Sequence, residues 1–156
     1  MNNPPTPPAL EFAFELVVDV GSALDLGLTQ NGHRRIVSIS GGHFEGPAIR
    51  GRVLPGGADW QILDRDGAAT LDARYTFETD QGALIYVNNL GIRGGAPEVL
   101  KKLNSGERVD PGSYYFRTVA WFETSAPECE WLTRSIFLGV GERYPDKVMV
   151  RFWRVG

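Results

Sequence analysis

The chain has 156 residues, 42% apolar and 22% charged, the size and make-up of one globular domain with a real core. Its net charge is −3 with no basic run, so the electrostatic footprint of nucleic-acid binding is missing and no nucleic-acid partner is expected. No apolar run approaches the ~20 residues of a membrane span, and residues 1–8 lack the regions of a secretory signal, so no membrane partner is expected. Cys129 is the only cysteine, so no intrachain disulfide can form, and a reducing cytoplasm is the expected location. His33 and His43 stand at no ligand spacing from Cys129; neither metal nor cofactor is expected.

In chain order, residues 1–9 read as a flexible proline-rich arm and residues 10–156 as one domain. From Leu10 to Val20 apolar residues recur at every second position, which predicts a half-buried strand. Residues 21–33 read as a connection, with one helical turn over 22–26, and residues 35–40 as a short strand. The stretch from Gly41 to Trp60 is dense in glycine and proline, so its backbone must bend, bulge or pass close to something. Gly41-Gly42 predicts a bulge, Pro47 an interruption, and Pro55-Gly56-Gly57 a turn. Ile49 and Val53 share one strand face; Arg50 and Arg52 share the other. Hairpin turns are predicted at 64–67 and 79–82, separating strands over 59–63, 71–79 and 83–90. Residues 91–95 read as a flexible loop. Residues 97–103 read as a short helix, with Pro97 and Glu98 in its first turn and lysines late. Strands over 114–124, 135–140 and 147–155 complete the chain.

That makes about nine strands in antiparallel hairpins, an all-β class, and the strongly patterned first and last strands predict a closed barrel. Gly41-Gly-His-Phe-Glu-Gly-Pro47, Gly51-Arg-Val-Leu-Pro-Gly-Gly-Ala-Asp-Trp60 and Asp80-Gln-Gly-Ala-Leu-Ile-Tyr86 carry a resemblance. So do Tyr115-Phe-Arg-Thr118, Phe122-Glu-Thr124 and Phe137-Leu-Gly139. Together they resemble the domain of unknown function 3237, also called uncharacterised protein family 0311, over roughly residues 10–155. The resemblance implies a calycin (lipocalin-like) antiparallel barrel and no established reaction. Gln81 departs from the acidic residue expected in that turn.

Barrels of this size enclose one small ligand, so each polar candidate has an inner and an outer reading. Asp59, at a strand start, is the first candidate for a general acid or base, its carboxyl raised in pKa by burial against Trp60. The bland alternative is a cap on the preceding turn. Arg52, with Arg50, would hold a carboxylate or enolate if inward and pair across strands if outward. Arg74, Thr76 and Glu78 form a polar row that either lines the cavity or faces water. Tyr115, Arg117 and Trp121 share a face suited to a ligand pocket or a subunit interface. His43 is the one proton shuttle of the central stretch, and Trp60, Tyr86 and Trp121 would enclose an apolar substrate. Serine-hydrolase, P-loop and dinucleotide motifs are absent.

Three functions fit. One is a cofactor-free acid/base enzyme (isomerase, lyase or hydrolase) on a small apolar carbonyl or aromatic molecule, with Asp59 moving the proton and Arg117 or Arg52 holding the oxygen. The others are a non-catalytic carrier of a hydrophobic or aromatic ligand, and a filled barrel serving a homo-oligomer. The expected partners are therefore that small molecule and further copies of the chain, as a homodimer or higher homo-oligomer.

Overall fold

In the computed structural model, which describes residues 3–156, the alternation that begins at Leu10 does not stop at Val20. Strand β1 runs Leu10–Thr29 and turns straight into β2, Gly32–Glu45. The connection and helical turn expected over 21–33 are thus a long hairpin. Its register shifts after Asp19, Val20 and Asp25, so β-bulges absorb the irregular spacing that hid the strand. The backbone groups of 21–29 find partners on β2, which a lone helical turn could not supply.

The remaining strands are β3 (Arg50–Val53), β4 (Gly57–Leu63), β5 (Ala69–Thr79), β6 (Leu84–Gly95), β7 (Tyr114–Glu123), β8 (Phe137–Arg143) and β9 (Lys147–Val155). One helix, α1, spans Pro97–Asn104, and a 3-10 segment covers Pro127–Thr133. All pairings are antiparallel, and they close into a ring: β1 bonds β9 on one side and β2 on the other. β3 and β4 share the place between β2 and β5. The ring is barrel-like and leaves no open edge among the described strands. The loop expected over 91–95 belongs to β6, which pairs with β7 as far as Gly95. No helix among the described residues is long and apolar enough to cross a membrane.

The glycines of the central stretch answer to crowding. Gly42 has φ +138°, and a Cβ there would lie 2.1 Å from the Val17 carbonyl oxygen of β1. A Cβ on Gly51 would lie 2.1 Å from the Glu78 carbonyl oxygen of β5. Side chains are excluded because β2 and β3 press their backbones against both neighbours.

The interior is filled at its two ends and hollow between them. Phe14, Phe44, Phe77, Phe122 and Phe152 pack one end, with the Phe44 and Phe77 rings stacked at 4.1 Å. The 3-10 segment covers this end with Cys129 and Leu132. At the other end α1 lays Leu100 and Leu103 on Leu63, Leu71, Tyr114 and Phe116. Leu100 and Leu103 lie three apart on one helix face, which is why so short a helix can serve as a plug.

Candidate functional site

Between these two plugs lies a pocket with unlike walls. Inward side chains of β1, β2 and β9 (Leu16, Val18, Val37, Ile39, Val150) make an apolar wall. β4 to β7 face it with Asp59 and Gln61, Tyr75, Asn89 and Arg93, and Thr118. The hollow between atoms measures about 560 Å³ including its mouth, and about 50 Å³ of it is open to the centres of water-sized molecules. That exceeds what a single water needs, and the open mouth extends it. Val20, Arg143 and Val148, where β1, β8 and β9 come together, line it while half-buried, as do Asp59 and Ala73 on the facing wall.

Strand alternation aims these groups. On β4, Asp59, Gln61 and Leu63 face in while Trp60 and Ile62 face out. On β6, the inward row is Ile85, Val87, Asn89 and Arg93. Asp59 and Asn89 both pair with Ala73 of β5, so they stand two strands apart, about 10 Å across the polar wall.

Asp59 accepts from Gln61 Nε2 at 2.9 Å and from the Asp72 backbone N–H at 3.0 Å. Neither donor belongs to the Pro55-Gly56-Gly57 turn, so the capping alternative does not describe it. Protein packs around the carboxyl except where it faces the pocket, and this burial raises its pKa above the ordinary carboxylate range. The hydrogen bonds from Gln61 and Asp72 and the charge of Arg93 oppose the rise without cancelling it. A carboxyl whose burial shifts it toward the neutral form, beside an apolar wall, is better placed to donate a proton than an exposed one.

Among the described residues, six buried side-chain atoms lack any hydrogen-bond partner in the protein, and five belong to this pocket. They are Gln61 Oε1, Tyr75 Oη, Asn89 Oδ1, Arg93 Nε and Thr118 Oγ1. Each unmet group costs about 1–3 kcal/mol, so their gathering around one hollow marks a place where something polar enters. The Tyr75 hydroxyl faces the Asn89 side chain without completing a bond, and burial pushes its pKa far above the phenol range. Removing this hydroxyl should therefore not weaken the empty protein. Tyr75→Phe should melt at or above the wild-type temperature, a gain of up to about 1 kcal/mol by thermal denaturation; a loss of several degrees would mean that the hydroxyl has a partner in the fold.

Of the residues expected at the site from sequence, only Asp59 lies in this pocket. Arg52 is on the outer face, where its Nε and Nη2 donate to Glu78 Oε1 at 3.0 and 2.9 Å. Glu78 is thereby committed outside as well. Arg74 points outward and forks onto the Asp72 carboxylate at 3.2 Å, so the polar row of β5 is the wet one. Arg117 lies outside over the Tyr115 ring, 5.3 Å from its centroid, and donates to the Phe116 carbonyl at 2.9 Å. Tyr86, Tyr115, Trp121 and Trp60 are exposed on outer faces, and His43 is exposed on β2 beside Arg52. On β5, β6 and β7 the apolar row fills the interior and turns the alternate row to solvent; on β4 the polar row of Asp59 and Gln61 is the inner one, and Trp60 is turned out with Ile62.

Arg93 was hidden by the loop expected over 91–95. Extending the alternation of Ile85, Val87 and Asn89 by two more steps reaches it. Tyr75, Asn89 and Thr118 sit within inward rows that otherwise read as core, and a polar interruption in such a row is the signal that finds them.

Residues 8–155 match the family described as protein of unknown function (DUF3237). A UPF0311 protein of Rhodopseudomonas palustris is 44% identical over 92% of this chain and 95% of its own. A β-barrel-like protein from Acinetobacter baumannii, known from its crystal structure, is 43% identical and covers 100% of both chains with a TM-score of 0.85. The hydroalkoxylation enzyme phnH of Penicillium herquei is 32% identical over 97% of this chain and 86% of its own.

Proposed function

Since this chain belongs to the DUF3237 family and has a hydroalkoxylation enzyme among its relatives, we propose that it is a cofactor-free acid/base enzyme working in the central pocket. Its reaction adds an oxygen nucleophile across a carbon–carbon double bond of a small aromatic or carbonyl compound, or reverses that addition. The observation that carries the reading is the protonated-leaning Asp59 set among unpartnered polar groups and opposite an apolar wall. Asp59 gives its proton to the alkene carbon. The substrate oxygen bonds the cationic carbon that results, and the Asp59 carboxylate recovers a proton to match the one the substrate hydroxyl gives up, either directly or through solvent when the oxygen is bound as its anion. The side chain ends as it began, so no cofactor is consumed. The apolar wall positions the hydrocarbon and excludes water that would compete for the cation. A ring around one central small-molecule pocket also supports reading the fold as calycin-like, and the single cysteine, Cys129, fits a reducing cytoplasm as the place of action.

The test is turnover of an alkenyl phenol such as 2-allylphenol, whose hydroxyl adds across its own double bond, followed by chromatography of the cyclic ether. Ala73, between Asp59 and Asn89, is the position to block. Ala73→Phe should abolish turnover while keeping the strand content of the wild type. Undiminished cyclisation by that variant would place the chemistry elsewhere.

A homo-oligomer remains the second part of the proposal. The outer face of β6 to β9 exposes Ile92, Tyr115, Trp121 and Leu138 around one groove; among the described residues its one cation is Arg117, already covered by Tyr115. An apolar face this continuous suits a second copy of the chain. Light scattering should give at least twice the monomer mass, and Trp121→Glu should return it to the monomer.

A further inference from the structure

The arginines of this protein differ in what they hold. On the outside, Arg50, Arg52, Arg74, Arg134 and Arg151 each hold a carboxylate at 3.2 Å or less, while Arg117 and Arg154 donate to the Phe116 carbonyl and the Ser135 hydroxyl instead. Among the described residues, no carboxylate makes a direct ion pair with Arg93 or Arg143, the two arginines that line the pocket. Among the residues that line the hollow, Asp59 is the one carboxyl, and it acts on Arg93 through its charge and not through a direct ion pair.

We propose that the pocket takes its ligand as an organic oxyanion, a phenolate, enolate or carboxylate on a small apolar body. Arg93 holds the charged oxygen, and Arg35 and Arg143 draw the anion in. This rests on the reading of the pocket as a ligand site and adds the charge state in which the ligand is bound.

Arg93 is only 3% exposed. Its Nη2 donates to Asn104 Oδ1 at 3.0 Å, and Asn104 is itself tied to the Gly67 carbonyl through Nδ2 at 3.0 Å. Its guanidinium carbon sits 5.8 Å from the centroid of the Phe116 ring. The guanidinium is thus clamped between the plug helix and an aromatic face, while its Nε edge has no partner. A purely structural arginine at this depth would spend its five donors on carbonyls and carboxylates. Burial, and to a lesser degree Arg143 and Arg35, push its pKa down to about 10, so it stays cationic at neutral pH.

Arg143 donates through Nη1 to the carbonyls of Tyr144 and Lys147, which fixes it at the β8–β9 turn. Arg35 pairs with inward Gln61 and with Asp25 of β1 and continues the row of Val37 and Ile39; it stands outside the lining but near enough for its charge to act on Arg93 and Arg143. Against these three cations the pocket sets one carboxyl, Asp59, whose burial favours its neutral form. Such a field, with low-dielectric walls, concentrates anions and strengthens a charge-assisted hydrogen bond at its end.

The probe is 4-nitrophenol, whose phenolate absorbs visible light and whose neutral form does not, with 4-nitroanisole as its neutral counterpart. Bound to the wild type, the dye should titrate about one unit lower than in water. It should bind about tenfold or more tightly than the anisole. Arg93→Met should weaken the dye by about 10- to 100-fold and remove the titration shift, with anisole affinity unchanged. Arg93→Lys should keep part of both effects, and Ala73→Phe should bind neither compound. If Arg93→Met does not fold, the wild-type titration and the Arg143→Met variant decide. A bound dye that titrates at or above its free value, or an anisole that binds as well as the phenolate, overturns the oxyanion inference and leaves the ligand pocket standing. If neither compound binds the wild type, or both bind Ala73→Phe equally, the pocket reading itself fails and this inference fails with it.

Discussion

Asp59→Asn should lower turnover of an alkenyl phenol by about 10²- to 10⁴-fold, the range expected when a positioned proton donor is lost. It should do so without unfolding the protein. The amide oxygen of the variant side chain can still accept from the Asp72 N–H. Its new N–H donor can meet Gln61 Oε1, which has no partner in the wild type, once the Gln61 amide turns over. The direction of the stability change follows from the raised pKa. The folded chain holds the Asp59 proton more tightly than the unfolded chain does. Wild-type stability therefore falls as pH rises from the ordinary aspartate value of 3.8 through the raised folded value, because the charged form must then be buried. The asparagine variant carries no such charge. It should melt at least as high as the wild type at neutral pH, and the difference should shrink as pH falls below 3.8. Wild-type activity should likewise be lost as pH rises through the same folded value, since the acid form is the donor. Retained turnover together with a lower melting temperature would make Asp59 a structural residue.

Gly42→Ala should cost about 4 kcal/mol, the largest stability loss expected of any single methyl in this chain. Two terms add: a backbone at φ +138° that L-residues avoid, at about 1–3 kcal/mol, and overpacking of a methyl 2.1 Å from the Val17 carbonyl, at about the same. The obstacle is backbone, so no rotamer change can relieve it. For a chain of this length the melting temperature should drop by roughly 8–16 °C. A melting temperature within two degrees or so of wild type would mean that β1 and β2 can separate at little cost, and that the close approach is not a fixed feature of the ring.

The glycine-rich stretch was conspicuous in the sequence for a reason unrelated to chemistry. Gly42 and Gly51 are where strands crowd, and the arginines beside them are outside. The pocket is instead built by residues scattered over the strands of the ring, most of them ordinary in their local context. Asp59 was legible because it starts a strand just after a turn. Asn89, Tyr75 and Thr118 show only as polar interruptions of apolar rows, and such an interruption looks the same whether it meets a partner or a hollow. Arg93 was lost to two glycines, Gly94 and Gly95, that suggested a loop; pairing with β7 overrode that local preference.

What the sequence determined by itself was the period of the strands, the hairpin turns at 64–67 and 79–82 and the short helix expected over 97–103, which runs Pro97–Asn104. All of these are set by interactions between near neighbours: side-chain alternation, glycine at positive φ and proline in the first turn. Which face of each strand turns inward, and which charges are left without partners there, depended on closure of the ring. Closure pairs β1 with β9 and places β3 and β4 together between β2 and β5. Only then do Asp59 and Arg93, 34 residues apart in the chain, share one low-dielectric hollow and act on each other's charge. Such long-range electrostatics have no local signature, because they arise from the exclusion of water by the assembled wall.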